Sequence, residues 1–261
     1  MNESELLFTE LLKCDRPFLY LNKDLRLDIQ KSAFISSVLK RRAFGEPIQY
    51  ILGKTEFMGF RFLVTRDVLI PRPETEILVE KVIQYINRKT HCVNRILELG
   101  TGSGCIAISL AKFLPQVGID ATDISMEALK IAKENAKINN ACVNFIESDL
   151  FSSSRLKPET YDLIVSNPPY IPSKGIEKLQ SEVRLEPVIA LDGGRDGLYF
   201  YRKLIKLSPK YLKDKGILIM EMGFNQHKKI KNIFKNYTNF EIIEVIKDYN
   251  NLERIIVAQM Q

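Results

Sequence analysis

The 261-residue sequence contains no tryptophan, only two histidines and only four cysteines. So few histidines argue against histidine-based nucleophilic catalysis and against a zinc site, and no metal is expected. The cysteines stand far apart, show no metal-ligand spacing and predict reduced thiols in a cytoplasmic protein. They are Cys14, Cys92, Cys105 and Cys142.

Long apolar runs are also missing. No stretch of about 18 apolar residues is present, so no membrane-spanning helix and no membrane partner are expected. The N-terminus is acidic and lacks the basic start and apolar stretch of a secretory signal. The net charge of +6 suits a polyanionic partner without requiring one, and a basic surface that aids solubility explains it equally well. We expect no direct nucleic-acid contact and a monomer.

The first 72 residues predict a small, mostly helical unit. Segments 5–13 and 24–43 have apolar residues at helical spacing, and segment 56–71 is rich in aromatic and β-branched residues that favour a hairpin or two short strands. We therefore expect a helical N-terminal domain with a hairpin linker at 1–72, followed by a second domain at 73–261. The apolar stripe of the second helix would consist of Leu25, Ile29, Ala33 and Val38.

From residue 95 onward, strand-like and helix-like segments alternate, which predicts right-handed crossovers between parallel strands. Two last strand-like runs, "FEIIEVIKD" and "LERIIVAQM", are separated by only three residues, and so short a loop joins antiparallel strands. We expect an α/β fold with a doubly wound, mostly parallel, seven-stranded, Rossmann-like sheet that ends in an antiparallel hairpin. The other predicted strands are 95–99, 117–123, 143–147, 161–166 and 216–221.

The strand at 95–99 runs into a glycine-rich turn that is followed by a helix. Glycines at such a place let the backbone turn sharply and let a ligand approach the main chain. The turn could also be merely a tight connection, but its position between a strand and a helix favours a ligand site. The residues expected to bind a cofactor here are Gly100, Thr101, Gly102, Ser103 and Gly104.

Two carboxylates follow at the ends of the next strands. Asp123 lies 19 positions after Gly104, where it could accept both hydroxyl groups of a ribose or, alternatively, cap the next helix. Asp149 could meet the exocyclic amine of an adenine, with Leu150 or Phe151 packing on the base, or it could be another cap or turn residue.

Nothing in the glycine turn resembles a phosphate cradle, because there is no Walker lysine and no dinucleotide-type third glycine. Glu98, just before the turn, favours a ligand with positive charge. An adenosine without phosphates and with a nearby sulfonium fits this pattern. Together with the closing antiparallel hairpin, it predicts a class I methyltransferase sheet that uses S-adenosyl-L-methionine and releases S-adenosyl-L-homocysteine.

The segment "SNPPYIP" ends the fourth strand of that sheet. The fourth strand should lie beside the first, at the switch point where ligands bind. Asn167 would then face the glycine turn, with its side-chain oxygen and the Pro168 carbonyl accepting the two N–H groups of a planar nitrogen. Pro169 stiffens the segment, and Tyr170 could stack on the acceptor group. Such catalysis by orientation needs no general base.

Four longer stretches of the sequence resemble segments of one protein family. "GTGSGCIAISLA", "YDLIVSNPPYI", "EPVIALDGGRDGLYFYR" and "PIQYILGKTEFMGFRFLVTRDVLIPRPETE" resemble the release factor glutamine methyltransferases, the HemK/PrmC family. The resemblance runs from about residue 45 to the end, and the helical N-terminal unit is similar to that family's substrate-binding domain. The "NPPY" tetrapeptide is shared with DNA adenine methyltransferases, whereas the stretch 47–76 is not.

The resemblance implies methylation of the side-chain amide nitrogen, N5, of the glutamine in the Gly-Gly-Gln loop of class 1 peptide chain release factors. By matched motif, Gly100–Gly104, Asp123 and Asn167 would contact the cofactor, and Asn167–Tyr170 would hold the glutamine. "PRPETE" would lie over the cofactor, with Arg72 and Glu74 as further candidates. The sequence departs from the family pattern at Leu150, where some relatives have tryptophan, and in the turn before Arg254.

Two other functions remain open at this point. The same chemistry could serve an N6-adenine or other base-amine methyltransferase acting on DNA or RNA, although such an enzyme needs a recognition domain or an intensely basic, aromatic surface. The chain has only diffuse positive charge, and no region after residue 73 is long enough for an inserted reader. A non-catalytic binding protein is disfavoured, because Asn167 and the glycine turn both look intact.

Overall fold

A seven-stranded sheet lies at the centre of the chain from residue 95 onward. The computed structural model describes residues 3–22, 24–88, 93–237 and 239–261, so Cys92 lies outside the described residues. The strands of the described residues are β1 (Lys54–Phe57), β2 (Phe60–Leu63), β3 (Arg95–Leu99), β4 (Gly118–Asp123), β5 (Asn144–Glu147), β6 (Tyr161–Ser166), β7 (Leu212–Glu221), β8 (Phe240–Lys247) and β9 (Glu253–Met260).

Helices cover both faces of this sheet and make up most of the N-terminal part. The helices are α1 (Glu3–Leu12), α2 (Arg16–Leu21), α3 (Ile29–Ala43), α4 (Ile48–Leu52), α5 (Pro73–Arg88), α6 (Cys105–Phe113), α7 (Met126–Ile138), α8 (Val188–Leu191), α9 (Tyr199–Leu207) and α10 (His227–Lys235). No described helix is both long and apolar enough to span a membrane.

The strand order is β5-β4-β3-β6-β7-β9-β8, and only the pairings of β9 with β7 and with β8 are antiparallel. β6 pairs with β3, so the chain reverses its direction of travel across the sheet between these two neighbours. The predicted α/β, doubly wound, mostly parallel, seven-stranded sheet with a terminal antiparallel hairpin is therefore confirmed. The carboxyl ends of β3 and β6 meet at the switch point.

Successive residues of each central strand enter two different cores, as the two-residue period of a strand requires. Ile96 and Leu163 pack with α5, α6 and α7 on one face of the sheet, whereas Leu97 and Ile164 pack with α9 and α10 on the other. All four side chains are fully buried. Burial on both faces explains why these strands are continuously apolar in sequence.

The predicted hairpin is also present, as β1 and β2 paired antiparallel. It packs on the sheet domain: the Asn135 side chain of α7 accepts from the Leu63 N–H at 2.6 Å and donates to the Leu63 carbonyl at 3.0 Å. The same amide donates to the Ser103 carbonyl at 2.9 Å, so Asn135 ties the hairpin to the glycine turn.

The N-terminal helices differ from the sequence prediction in two respects. The second predicted helix, 24–43, begins only at Ile29, because the Asp28 carboxylate caps it by accepting the Lys31 N–H at 2.7 Å. The predicted apolar stripe is wrong at three of its four positions: Leu25 lies before the helix, Ile29 is 89% exposed and Ala33 is exposed as well. Val38 is buried as predicted, and it forms the buried face of α3 together with Ile35.

Candidate active site

The glycine turn after β3 adopts a backbone that only glycine tolerates well. Gly100, Gly102 and Gly104 have φ angles of +76°, +55° and +83°. The N–H groups of Gly100 and Thr101 donate to the Thr122 carbonyl at 2.9 and 2.8 Å, which anchors the turn to β4. A Cβ at Gly100 or Gly102 would have no atom within 4 Å beyond the adjacent residues, so the main chain there is open to a ligand.

Asp123, at the end of β4, lies directly against this turn. Its Oδ2 accepts the Gly102 N–H at 2.8 Å and its Oδ1 accepts the Ser125 N–H at 2.9 Å. Burial raises the pKa of Asp123, opposed by these backbone donors. Each carboxylate oxygen uses one of its acceptor sites on the backbone, so each can still accept a second donor from the pocket. Ser125, not Asp123, accepts from the Ala128 N–H to cap α7.

One pocket of about 1000 Å³, counting its open mouth, brings most of the predicted residues together. Gly104 does not line it. A Cβ at Gly104 would lie 2.8 Å from Ile108 Cδ1, so glycine there permits close packing against α6. Tyr170 also lies outside this lining. The predicted residues that do line the pocket are Gly100, Thr101, Gly102, Ser103, Asp123, Asp149, Leu150, Asn167, Pro168 and Pro169.

Glu98 is a fully buried carboxyl group at the bottom of this pocket. Its Oε2 accepts the Thr101 hydroxyl at 2.6 Å and the Ala107 N–H at 3.0 Å. Its Oε1 has no hydrogen-bond partner among the described residues. Burial raises the pKa of Glu98 to about 7, against the hydrogen bonds from Thr101 and Ala107. A buried acceptor without a partner suits a positively charged or donor-rich ligand, and this observation fits S-adenosylmethionine.

A second pocket, of about 1070 Å³ with its open mouth, adjoins the first. Tyr170 lines this pocket, and burial raises the pKa of its hydroxyl to about 12. The second pocket adjoins the end of β6, because Asn167 and Pro168, which follow that strand, line it. The two pockets share Leu69, Arg72, Asn167, Pro168 and Ala190.

The backbone of the "NPPY" segment is fixed by close packing as well as by its prolines. A Cβ at Gly193 would lie 2.8 Å from the Pro169 carbonyl oxygen, so only glycine permits this approach. The Gln226 side chain donates to the Tyr170 carbonyl at 2.9 Å. The "DGGRDG" stretch is thus a packing surface for the segment that carries Asn167.

The Asn167 side chain is held by two further residues. Its Nδ2 donates to Thr75 Oγ1 at 3.1 Å, and Thr75 Oγ1 donates to Glu221 Oε2 at 2.7 Å. The carboxamide oxygen therefore points away from Thr75. Arg254, whose role the sequence left uncertain, pairs with Asp248 at 2.8 Å and lies close enough to lower the pKa of Glu221.

Arg72 borders both pockets, as its place in "PRPETE" suggested. Its guanidinium pairs with the buried Glu186, whose other oxygen accepts the Ile70 N–H at 3.0 Å. Residues 173–191 form mainly short helical turns, and Glu186 of this segment lies in the wall of the second pocket. Arg42 of α3 pairs with Glu182 of the same segment at 2.5 Å.

Thr75 and Glu221 were missed by sequence reasoning. They stand 146 positions apart, and each is an ordinary member of a helix or a strand. The only signal was indirect: Thr75 lies within "PRPETE", the stretch expected to cover the cofactor. Among the described residues, no group of three or more His, Cys, Asp or Glu side chains is arranged to hold a metal ion.

Comparisons with known proteins agree with this geometry. Residues 74–183 match the family model of the methyltransferase small domain, and residues 1–53 match that of the PrmC N-terminal domain. Among solved structures, a methyltransferase from Pyrococcus furiosus covers 86% of the chain, with 98% of that structure covered, a TM-score of 0.58 and 19% identity. That similarity supports the fold alone.

The similar curated sequences are more specific. The release factor glutamine methyltransferase of Thermodesulfovibrio yellowstonii is 40% identical over 99% of this chain and 92% of its own length. That of Geobacter sulfurreducens is 42% identical over 97% of this chain and 87% of its own length. The chain therefore belongs to the release factor glutamine methyltransferase family.

Proposed function

We propose that this enzyme transfers a methyl group from S-adenosyl-L-methionine to the side-chain amide nitrogen of the glutamine in the Gly-Gly-Gln loop of class 1 peptide chain release factors. One observation carries the proposal: a pocket built around the glycine turn and a second, adjoining pocket share Asn167 and Pro168. A donor in one pocket and an acceptor in the other would meet at these residues.

The first pocket offers each group that the donor requires. Asp123 would accept the ribose hydroxyls, Asp149 would face the adenine, and Leu150 would pack on the base. Glu98 would face the positively charged end of the molecule through its Oε1. When bound, S-adenosylmethionine supplies an electrophilic methyl group and leaves as S-adenosylhomocysteine.

The acceptor nitrogen needs orientation, because the lone pair of an amide is delocalised and the nitrogen is a poor nucleophile. Asn167 Oδ1 and the Pro168 carbonyl would accept hydrogen bonds from the two N–H groups of the glutamine amide and align its nitrogen with the methyl group. As the nitrogen bonds to the methyl group, the bond between that group and the donor sulfur would break, with its electron pair left on the sulfur. The two acceptors would stabilise the positive charge on the nitrogen until one of its protons passes to water. Tyr170, Pro169 and the remaining wall of the second pocket would hold the glutamine side chain.

We also propose the division of the chain at residue 72, with substrate recognition by the N-terminal part. The match of residues 1–53 to the PrmC N-terminal domain supports a separate role for the helices. The Arg42–Glu182 ion pair supports it further, because it brings α3 next to the wall of the acceptor pocket. The hairpin β1–β2 serves as a linker that packs on α7.

A transfer assay with labelled S-adenosylmethionine tests the substrate directly. Three acceptors are compared: a purified release factor, the same factor with its loop glutamine replaced by alanine, and duplex DNA. We expect label only in the unaltered release factor. Label in DNA would instead favour a base-amine methyltransferase, and label that persists in the alanine variant would place the methyl group on another residue.

A further inference from the structure

The prolines next to Asn167 leave one degree of freedom unrestrained. They fix backbone angles, but they do not decide which end of the carboxamide faces the acceptor. The terminal torsion of an asparagine is broad and nearly two-fold, so the oxygen and the NH₂ group can exchange places with little change in shape. If the NH₂ group faced a glutamine NH₂, two donors would meet and the acceptor would not be aligned.

A buried series of side-chain hydrogen bonds determines which end of the Asn167 carboxamide faces the acceptor. Asn167 Nδ2 is 3.1 Å from Thr75 Oγ1, and Thr75 Oγ1 is 2.7 Å from Glu221 Oε2. Thr75 is 2% exposed and Glu221 is 1% exposed, so water does not compete for these contacts. Thr75 belongs to the first turn of α5 and Glu221 ends β7, so two rigid elements hold the chain in place.

The direction of these hydrogen bonds follows from the number of protons. An ionised carboxylate only accepts, so Thr75 must use its single hydroxyl proton on Glu221. The lone pairs of Thr75 Oγ1 are then available only to a donor, and the NH₂ group of Asn167 is that donor. The Asn167 amide also interacts favourably with the Glu221 carboxylate itself. The opposite orientation would place the asparagine oxygen against two acceptors.

We propose that Thr75 and Glu221 are positioning residues for methyl transfer, which hold the Asn167 carboxamide with its oxygen towards the acceptor nitrogen. This inference rests on the proposed function, because it concerns an acceptor that presents N–H groups. Thr75 also lines the donor pocket, whereas the described linings of the two pockets do not include Glu221. Glu221 therefore acts on turnover indirectly, and its side-chain hydrogen bonds run to Thr75 and Asn167.

The charge on Glu221 is set by its surroundings. Burial raises its pKa to about 7, while Thr75 and Arg254 act in the opposite direction and Glu74 adds to the rise. The charge of Glu221 also raises the pKa values of three other titratable groups, Tyr170, Tyr201 and Cys105. Since the ionised form enforces the orientation, its contribution to kcat is present above about pH 7 and is lost as the pH falls below it.

Four variants test the proposal with donor and acceptor both saturating. Thr75→Val keeps the shape of the side chain but removes the hydroxyl, so kcat should fall about 10- to 100-fold. Thr75→Ser keeps the hydroxyl and should restore kcat. Glu221→Gln should lower kcat about tenfold and remove the loss of rate below pH 7. The double variant should be no slower than Thr75→Val alone, because both changes interrupt one chain. Equal kcat in wild type, Thr75→Val and Glu221→Gln, or additive losses in the double variant, would overturn the proposal.

Tyr201→Phe provides a matched control. The buried Tyr201 hydroxyl donates to the Glu221 backbone carbonyl at 3.0 Å, so its removal disturbs the same residue without touching the side-chain contacts. We expect a lower midpoint of thermal unfolding but kcat within about threefold of wild type. A loss of kcat as large as that of Glu221→Gln would mean that general loosening of β7 explains the effect.

A measurement without substrate separates this proposal from the proposed function. The side-chain ¹⁵N–¹H signals of Asn167 can be identified by their absence from the Asn167→Ala spectrum. Their exchange with water should be slow in the wild type and several-fold faster in Thr75→Val and Glu221→Gln. Unchanged exchange would refute the positioning role, whereas a wild-type enzyme that fails to methylate a release factor would refute only the proposed function.

Discussion

Replacement of Asp123 by alanine should weaken donor binding by two to four orders of magnitude. Both oxygens of Asp123 already accept a backbone N–H, from Gly102 and from Ser125, and each has an acceptor site left for a ribose hydroxyl. A hydrogen bond to a charged group contributes about 1.5–3 kcal/mol, so two such bonds contribute about 3–6 kcal/mol. That range corresponds to about 10²- to 10⁴-fold in the dissociation constant.

Isothermal titration calorimetry with S-adenosylhomocysteine measures this change without turnover. Glu147→Ala is a suitable control, because Glu147 pairs in register with Asp123 at the end of the neighbouring strand but is exposed and does not line the pocket. We expect its dissociation constant to stay within about threefold of wild type. A change of less than threefold for Asp123→Ala, with the unfolding midpoint near that of the control, would refute the assignment of this carboxylate to the ribose.

Three further predictions follow from the site and its packing. Asn167→Ala should abolish turnover but leave much of the donor affinity measured by calorimetry, since the glycine turn and its acid stay in place; full activity would contradict the role of the carboxamide. Burial raises the pKa of Glu98 to about 7, and the carboxyl must lose its proton to pair with a cationic donor. The affinity for S-adenosylmethionine should therefore weaken up to about tenfold for each pH unit below 7 and stay constant above pH 7. Glu98→Gln should remove this pH dependence, and a pH-independent wild type would exclude it. Gly104→Ala, at a positive φ and 2.8 Å from Ile108 Cδ1, should cost about 1–3 kcal/mol of unfolding free energy in a denaturant titration, whereas an unchanged midpoint would contradict the packing role.

The fold of the sheet was predictable because short apolar, strand-like runs alternate with helix-like segments from residue 95 onward. Runs such as "RILEL" and "YDLIVS" are buried on both faces, and the short link between the last two strands permits only an antiparallel pair. The N-terminal helices were less predictable. Ile29 is 89% exposed although it is apolar, so the periodicity of α3 did not identify the face that packs in the core.

The residues around the first pocket were predictable where they lie close together in sequence. The glycine turn, Asp123 and the "NPPY" segment can each be recognised from a few neighbouring residues, and the switch point between β3 and β6 brings them to one pocket. The partners that orient Asn167 could not be found in this way. Thr75 and Glu221 come from different elements 146 positions apart, and only the packing of α5 against β7 places their side chains in contact.

The substrate assignment is tested most directly by locating the transferred methyl group. A release factor is incubated with the enzyme and S-adenosylmethionine, digested, and analysed by tandem mass spectrometry. The account predicts one methyl group on the side-chain amide of the glutamine in the Gly-Gly-Gln loop, and none when Asn167→Ala replaces the wild-type enzyme. A methyl group on any other residue, or an unmodified loop in the presence of active enzyme, would contradict it.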